Sequence, residues 1–567
     1  MPPKFFQIGF NKCGTTFIAR LFDLNRIPAA HWLEGALADD IAHAKLSGSR
    51  PLARWADGIT AFTDMESVRF LNMPVIEAFK DYALLDAHYP GAVFLLNTRR
   101  VEDWIASRYL HRGGAYARSI AAAMDVPLGA LGDIWAADWD AHLAGVRAHF
   151  AGRERFIDID IDEAAPEDYR TALSPWYDLP HLPPLPGAGV RRARRTTLPQ
   201  VLAMMDEPQP GAEEDPDRRA QLATRLARLA APARLRQKGS IDRPPHGQAL
   251  CLDLERDQLH GADGTVMPLI RGPQGLFHLA AERPGLLRAA AMANDIAQVT
   301  GHGRYWLDPR PATWAGSGPD DPADGPLIAS LRRRGARNVF LWPAPWRHRI
   351  GNAGFPGSPV AAGPEWDDRA DILSWRGTLS GHAPDDRRPA EALITALERD
   401  PHGPARALLP RTGRWRVLSA LAGRAGMDLA LIPDARRDGV LARAGLTAPV
   451  PVAAAGTPAR FHLALSGSEG DADALPLLGG QALVLIEEDG WEGFVTGLFR
   501  AHRHYLPLAP GCTDLDRQLD WARAHPQECR QMVRQARRLW ARLADPAGRR
   551  LHLGQVLADY RRATGQD

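Results

Sequence analysis

Lys12 stands in a stretch whose residue types suit the binding of an anion, Lys4-Phe5-Phe6-Gln7-Ile8-Gly9-Phe10-Asn11-Lys12-Cys13-Gly14-Thr15-Thr16. Phe5, Phe6 and Ile8 form an apolar run that predicts a buried strand. Gly9 and Gly14 permit unusual backbone angles and the close approach of a ligand. Thr15 and Thr16 occupy the start of a helix, where a cap would sit, and Phe17-Ile18-Ala19-Arg20-Leu21-Phe22 continues it. Free N–H groups at a helix start beside a lysine attract an anion, and phosphate is the usual one.

A second stretch has a related character. Ala92-Val93-Phe94-Leu95-Leu96-Asn97-Thr98 is a short apolar run of the kind found in central parallel strands. It ends at Arg99, and Ser107 follows eight residues later on the next predicted helix. Arginine offers phosphate a planar fork and serine adds a neutral donor. The first loop differs from the common phosphate loop Gly-x-x-x-x-Gly-Lys-Ser/Thr, because Lys12 precedes the second glycine. That placement resembles the 5′-phosphosulfate loop of the sulfotransferases that use 3′-phosphoadenylyl sulfate (PAPS). Arg99 and Ser107 resemble the pair with which that family holds the 3′-phosphate. The resemblance implies that Asn11, Lys12, Cys13, Gly14, Thr15 and Thr16 cradle the phosphosulfate. It also implies that Lys12 stabilises charge as the sulfuryl group leaves.

Sulfuryl transfer needs a base for the acceptor hydroxyl. Ile59-Thr60-Ala61-Phe62-Thr63-Asp64-Met65-Glu66 resembles a segment of one sulfotransferase branch that carries an acid near the acceptor. Asp64 is the first candidate, Glu66 the second and His31 the third. Arg191, Arg192, Arg194 and Arg195 form a late basic cluster that suits a loop closing over the 3′-phosphate. No metal-ligand pattern is evident, and the resembling family needs no metal.

Three later segments resemble the CAP10-like glycosyltransferases, the family of lipopolysaccharide-modifying and protein O-glycosylating enzymes. Trp375-Arg376-Gly377-Thr378-Leu379-Ser380-Gly381 matches that family's Trp-Arg-Gly-x-x-x-Gly loop. Ser466-Gly467-Ser468-Glu469-Gly470-Asp471 resembles its glycine-rich loop, and Leu478 to Ile486 followed by Trp491-Glu492-Gly493-Phe494 resembles its next strand and turn. The resemblance implies a nucleotide-sugar donor such as a UDP-sugar, held by Arg376, Gly377, Ser468, Gly470 and Glu492. Two departures stand out. Ala472 and Ala474 replace the Ser and Arg that hold the diphosphate, and no acid follows Val339-Phe340-Leu341, leaving Asp308 as the substitute base.

These motifs must be positioned by a chain of 567 residues, enough for two or three domains. The apolar and charged fractions, 45% and 24%, are those of a globular protein, and a net charge of +2 argues against nucleic acid as a partner. Four cysteines, none in a Cys-x-x-Cys pair, indicate neither a disulfide scaffold nor a zinc ribbon. No apolar stretch reaches the ~20 residues of a membrane span, which leaves peripheral membrane contact open. The first strand begins almost at once, with no leader pattern, so a cytoplasmic compartment is expected. The expected fold is α/β throughout. A doubly wound parallel sheet of the P-loop-like sulfotransferase type occupies 1–197, a linker with one helix 198–245, and a Rossmann-like GT-B-type region 246–567. The expected activity is sulfuryl transfer from PAPS to a carbohydrate, fused to glycosyl transfer. One rival is a kinase, which lacks its Gly-Lys-Ser/Thr here. The other is a glycan-binding protein, favoured for the second half by the missing acid.

Overall fold

The computed structural model describes the chain apart from residues 1, 70, 185–197, 207–214, 233, 236–240, 279–285, 311, 345–362, 454–455, 468–473 and 544. Ser468, Gly470, Ala472 and the basic cluster Arg191 to Arg195 therefore lie outside the described residues. The chain divides into two compact units. The first comprises Met1–Gln209, Arg256–Leu259 and Val266–Gln298; the second comprises Pro210–Glu255, His260–Thr265 and Val299–Asp567.

In the first unit the strands are β1 (Phe5–Gln7), β2 (Ala29–His31), β3 (Ala61–Thr63), β4 (Glu66–Ser67), β5 (Ile76–Glu77), β6 (Val93–Thr98) and β7 (Phe156–Asp160). The β4 and β5 strands pair antiparallel with each other. The other five form one parallel sheet in the order β2-β3-β1-β6-β7. The helices used below are α1 (Thr15–Leu24), α2 (Ala36–Ser47), α3 (Tyr82–His88), α4 (Val101–Leu110), α5 (Ala115–Met124) and α6 (Leu131–His149). Successive strand residues point to opposite faces. Phe5, Val93 and Leu95 pack with Phe17, Ile18 and Leu21 of α1. Phe6, Phe94 and Leu96 pack on the other face with Leu37 of α2 and Trp135 and Trp139 of α6. Helices on both faces explain why these strands read as unbroken apolar runs.

The second unit contains two larger sheets. In one, Leu250–Asp253, Arg304–Asp308, Leu327–Ala329 and Val339–Leu341 lie side by side in that order, the first pair antiparallel and the next two parallel. The other is parallel throughout and runs Met427–Leu431, Ala370–Gly377, Ala459–Ala464, Leu483–Glu487, Leu506–Leu508. Numbered along the chain, its order is 2-1-3-4-5. The apolar runs read as strands near Val339, Leu429, Phe461 and Leu483 all belong to these sheets. The helix expected from Asp217 to Leu235 spans Pro216–Ala230 instead. Asp215 caps it by accepting from the Asp217 N–H at 3.0 Å, and Ala231 cannot continue it because Pro232 follows. Among the described residues, no single helix is long and apolar enough to cross a membrane.

Gly9 is where the chain leaving β1 passes β6. A Cβ there would stand 2.4 Å from the Asn97 carbonyl oxygen and 2.4 Å from its side-chain oxygen. Gly9→Ala is expected to lower stability by about 1–3 kcal/mol, the cost of forcing atoms into a filled space. The urea midpoint followed by tryptophan fluorescence measures this, and an unchanged midpoint would mean that the two chains have room to part.

Candidate functional site

In a parallel sheet all strands end at one edge, and doubly wound sheets bind ligands there, where the strand order reverses. The β1 strand stands at that reversal, with β3 on one side and β6 on the other. The loop after β1 carries Asn11, Lys12 and Cys13. His31 ends β2, Asp64 follows β3, and Arg99 follows β6. Parallel pairing therefore gathers most of the residues singled out in the first unit at one edge.

A buried polar pair ties these strand ends together. Gln7 Nε2 donates to the Gly9 carbonyl at 2.6 Å and to Asn97 Oδ1 at 2.7 Å, while Gln7 Oε1 accepts from the Asp64 N–H at 3.1 Å. Asn97 Nδ2 donates to the Cys13 carbonyl. Gly14, at φ +84°, leads into α1, and no side chain caps that helix. Thr15 and Thr16 are thus first-turn residues rather than caps, and the first amides of α1 lack a side-chain acceptor. Thr15 is buried and Thr16 exposed.

Around that helix end the side chains form a chain of contacts. Thr16 Oγ1 is 3.4 Å from His31 Nε2, which is 3.9 Å from Asp64 Oδ2. His31 Nδ1 meets Thr63 Oγ1 at 2.9 Å. Lys12 Nζ is 3.3 Å from His111 Nδ1, and the Arg112 guanidinium lies 5.1 Å from the centre of the Trp32 ring. Arg99 Nη1 donates to the Lys12 carbonyl at 2.9 Å. Its side chain is 8% exposed, and its Nε is buried without a hydrogen-bond partner. Arg99 also lies 4.0 Å from Asp162, and a guanidinium with an unused donor beside an uncapped helix has the charge and donors that suit an anion. Ser107 is half-buried on α4.

The backbone here is strained. Lys12 (φ 65°), Trp32 (60°), Leu33 (46°), Glu34 (56°), Asp64 (54°) and Arg112 (52°) are left-handed without being glycine. Each such residue costs on the order of 1–3 kcal/mol, and such strain concentrates at functional sites.

Burial pushes the Lys12 ammonium down from its ordinary pKa, against the pull of Asp64. Burial also pushes the Asp64 carboxyl up, opposed by His31 and Lys12. An acid raised in this way, beside an imidazole, suits proton transfer. Cys13 is fully buried and burial lifts its thiol to about 12, so it serves through its main chain and not as a nucleophile. Glu66 is 5% exposed, and its oxygens accept from Arg108 Nη2 at 3.0 Å, Tyr116 Oη at 2.5 Å and Asn11 Nδ2 at 2.5 Å. Burial pushes its carboxyl up against the pull of Arg108, while Arg108 and Lys80 overcome burial to hold Glu77 at about 2. Its commitment to three donors marks Glu66 as part of the scaffold, not as a base. Gln7, Asn97, His111, Arg112 and Arg108 escaped the sequence reading. The visible signal for the first two was an amide inside an apolar strand.

In the second unit the order 2-1-3-4-5 puts the reversal between the strands Ala370–Gly377 and Ala459–Ala464. The loops after them are the two glycine-bearing motifs. Arg414 stitches these loops together, donating to the carbonyls of Thr378 and Ser466 at 3.1 Å and of Leu465 at 3.0 Å. A Cβ on Gly467 would stand 2.8 Å from Ser380 Oγ. Ser466 Oγ donates to Asp489 Oδ2 at 2.6 Å, and the Ser466 N–H donates to Glu487 at 3.1 Å. Arg376, beside Gly377, turns onto the neighbouring strand and pairs with Asp428 at 2.7 Å.

Glu492 lines a cavity of about 740 Å³ together with Arg332, Arg334, Glu487, Trp491 and Tyr505. It pairs with Arg332 at 3.2 Å and Arg334 at 3.6 Å. Asp308 is fully buried and committed to Arg310 at 2.6 Å and His246 at 3.3 Å. Although burial opposes them, these partners hold its carboxyl below the usual carboxylate range. Its lone pairs are engaged, which argues against a role as base.

Residues 458–544 match the family described as glycosyl transferase family 90. The C-terminal part of the second unit thus carries a glycosyltransferase domain, of the family 90 or CAP10-like type. That match contains Ser466, Glu487 and Glu492 but neither Asp308 nor Arg376. Similar solved structures include a glycosyltransferase from Rickettsia africae ESF-5, at 12% identity and TM-score 0.22, over 43% of this chain and 64% of that one. Another is a sucrose-phosphate synthase from Thermosynechococcus elongatus, at 12% identity and TM-score 0.24, over 57% of this chain and 88% of that one. No curated protein matches the chain.

Burial lowers His111, His462 and His504 to about 4 each. The unfolded chain takes up these protons near the ordinary value of about 6.5. Stability from these groups is therefore present above pH 6.5 and is lost as the pH falls toward 4. In urea unfolding, His111→Asn is expected to show a shallower loss across that window. An unchanged slope would remove His111 from the account.

Proposed function

We propose that the chain is a tandem transferase acting on carbohydrate. The first unit transfers a sulfuryl group from PAPS, and the second transfers a sugar from a nucleotide-sugar donor such as a UDP-sugar. The observation that carries the first half is the uncapped start of α1, ringed by Lys12, Thr16, His31, Asp64 and the unsatisfied Arg99. The helix amides and Lys12 meet the phosphosulfate, while Arg99 and Ser107 take the 3′-phosphate. The acceptor oxygen attacks sulfur as the bond from sulfur to the bridging phosphate oxygen breaks. Asp64, next to His31, takes the hydroxyl proton. Lys12 offsets the charge left on adenosine 3′,5′-bisphosphate.

The second half rests on the family 90 match over residues 458–544 and the cavity beside Glu492. Joining the two activities in one chain raises the local concentration of a shared acceptor. A second reading, in which this half binds glycan without transferring sugar, is favoured by the sealed Asp308.

Calorimetric titration of the full chain with adenosine 3′,5′-bisphosphate tests the first half. Arg99→Ala is expected to weaken binding about 10–100-fold, from the loss of a charge-assisted contact of about 1.5–3 kcal/mol. No binding by the folded wild-type protein would overturn the PAPS reading. Titration with UDP tests the second half, and Trp491→Ala, which removes part of the cavity wall, is expected to weaken it.

A further inference from the structure

Asn11 is gripped from both ends. Its Oδ1 accepts from Arg108 Nε at 3.0 Å, and its Nδ2 donates to Glu66 Oε2 at 2.5 Å. Arg108 and Glu66 are themselves an ion pair at 3.0 Å, and the Arg108 side chain is 1% exposed. Each end of the amide thus meets one member of a buried pair, which fixes both its orientation and its rotamer. The Asn11 carbonyl accepts from Trp104 Nε1 at 3.1 Å. Lys12, the next residue, keeps a left-handed backbone at φ 65° that an L residue holds only under constraint.

The grip is anchored in turn. Arg108 also bonds Glu77 at 2.6 Å and stacks 4.6 Å from the centre of the Trp104 ring. Glu77 bonds Lys80 at 2.5 Å, and Lys80 reaches Asp138 of α6 at 2.7 Å. Two cations face three carboxylates, all held by β4, β5, α4, α6 and the turn before α3.

We propose that Arg108 and Glu66 are the positioning pair of the anion loop, holding Gly9–Gly14, through Asn11, in the form that presents Lys12 and the first amides of α1 to a ligand. The inference rests on the reading of this loop as a phosphosulfate site and assigns it its scaffold. Glu66 is the sensitive member. A carboxylate satisfies three donors, whereas a glutamine must turn its NH2 onto one of them.

Cys13 provides the readout. It lies in the clamped loop, is fully buried, and is alkylated by iodoacetamide only when the loop opens. Asn11→Ala leaves the ion pair in place and cuts its link to the loop. Glu66→Gln weakens the pair without removing its volume. Both are expected to speed Cys13 alkylation about tenfold or more, with amide exchange across Val93–Thr98 at the wild-type rate. The affinity for adenosine 3′,5′-bisphosphate is expected to fall at least about tenfold.

Alkylation of Cys13 at the wild-type rate in Asn11→Ala would overturn the proposal. So would alkylation that rises only in step with exchange across Val93–Thr98, since the pair would then serve general stability. If the wild-type protein binds no bisphosphate while both variants still release Cys13, the clamp stands and the PAPS reading falls.

Discussion

The buried bond between Gln7 and Asn97 is the contact on which the first unit's site depends. Gln7 and Asn97 are 0% and 1% exposed, in strands otherwise filled with phenylalanine and leucine. Buried amides are costly unless every polar atom is matched. Here their partners are the main chains of Gly9, Cys13 and Asp64. Satisfying the two side chains therefore sets where two strand-end loops run, those after β1 and β3. Gly9 is part of the same arrangement, because only a residue without a Cβ lets those loops come so close to Asn97.

Once the loops are placed, the remaining features are consequences. The start of α1 is left without a cap, Lys12 is forced into a left-handed turn, and Arg99 is drawn against the loop with one donor to spare. The helix amides, the Lys12 ammonium and the Arg99 guanidinium are thereby gathered at one edge of the sheet, a grouping whose charge suits an anion. Asp64 and His31 flank it with groups able to exchange a proton.

The second unit solves a similar problem with arginine. Arg414 bonds three loop carbonyls, and Arg332 bonds those of Leu229, Ala230, Ala231 and Val339 while pairing with Glu492. A guanidinium carries five donors in a rigid fork, so one buried side chain can hold several strands of backbone at once. Lysine has no such geometry. Arg376, which resembles a ligand-binding residue in sequence, is used in this way too, bonding the Trp375 and Asp428 carbonyls as well as the Asp428 carboxylate.

The sequence by itself determined the elements. Apolar runs at Phe5, Val93, Phe461 and Leu483 made buried parallel strands, because a sheet covered on both faces demands side chains that avoid water. Glycines and a lysine at the end of the first strand made a tight loop that leads into a helix, because glycine's backbone freedom and the helix start are local properties. Proline at 232 ended a helix one turn early for an equally local reason. Tertiary structure alone decided which polar residues meet. Nothing in the spacing of Glu66, Glu77 and Arg108 says that the first and last converge on Asn11 while Glu77 braces Arg108. The use of buried Asp308 and half-buried Arg376 as ion-pair partners is equally invisible along the chain. Such roles follow from which charges share a dry interior, where an unmatched group is too costly to leave alone, and only the packed chain settles that.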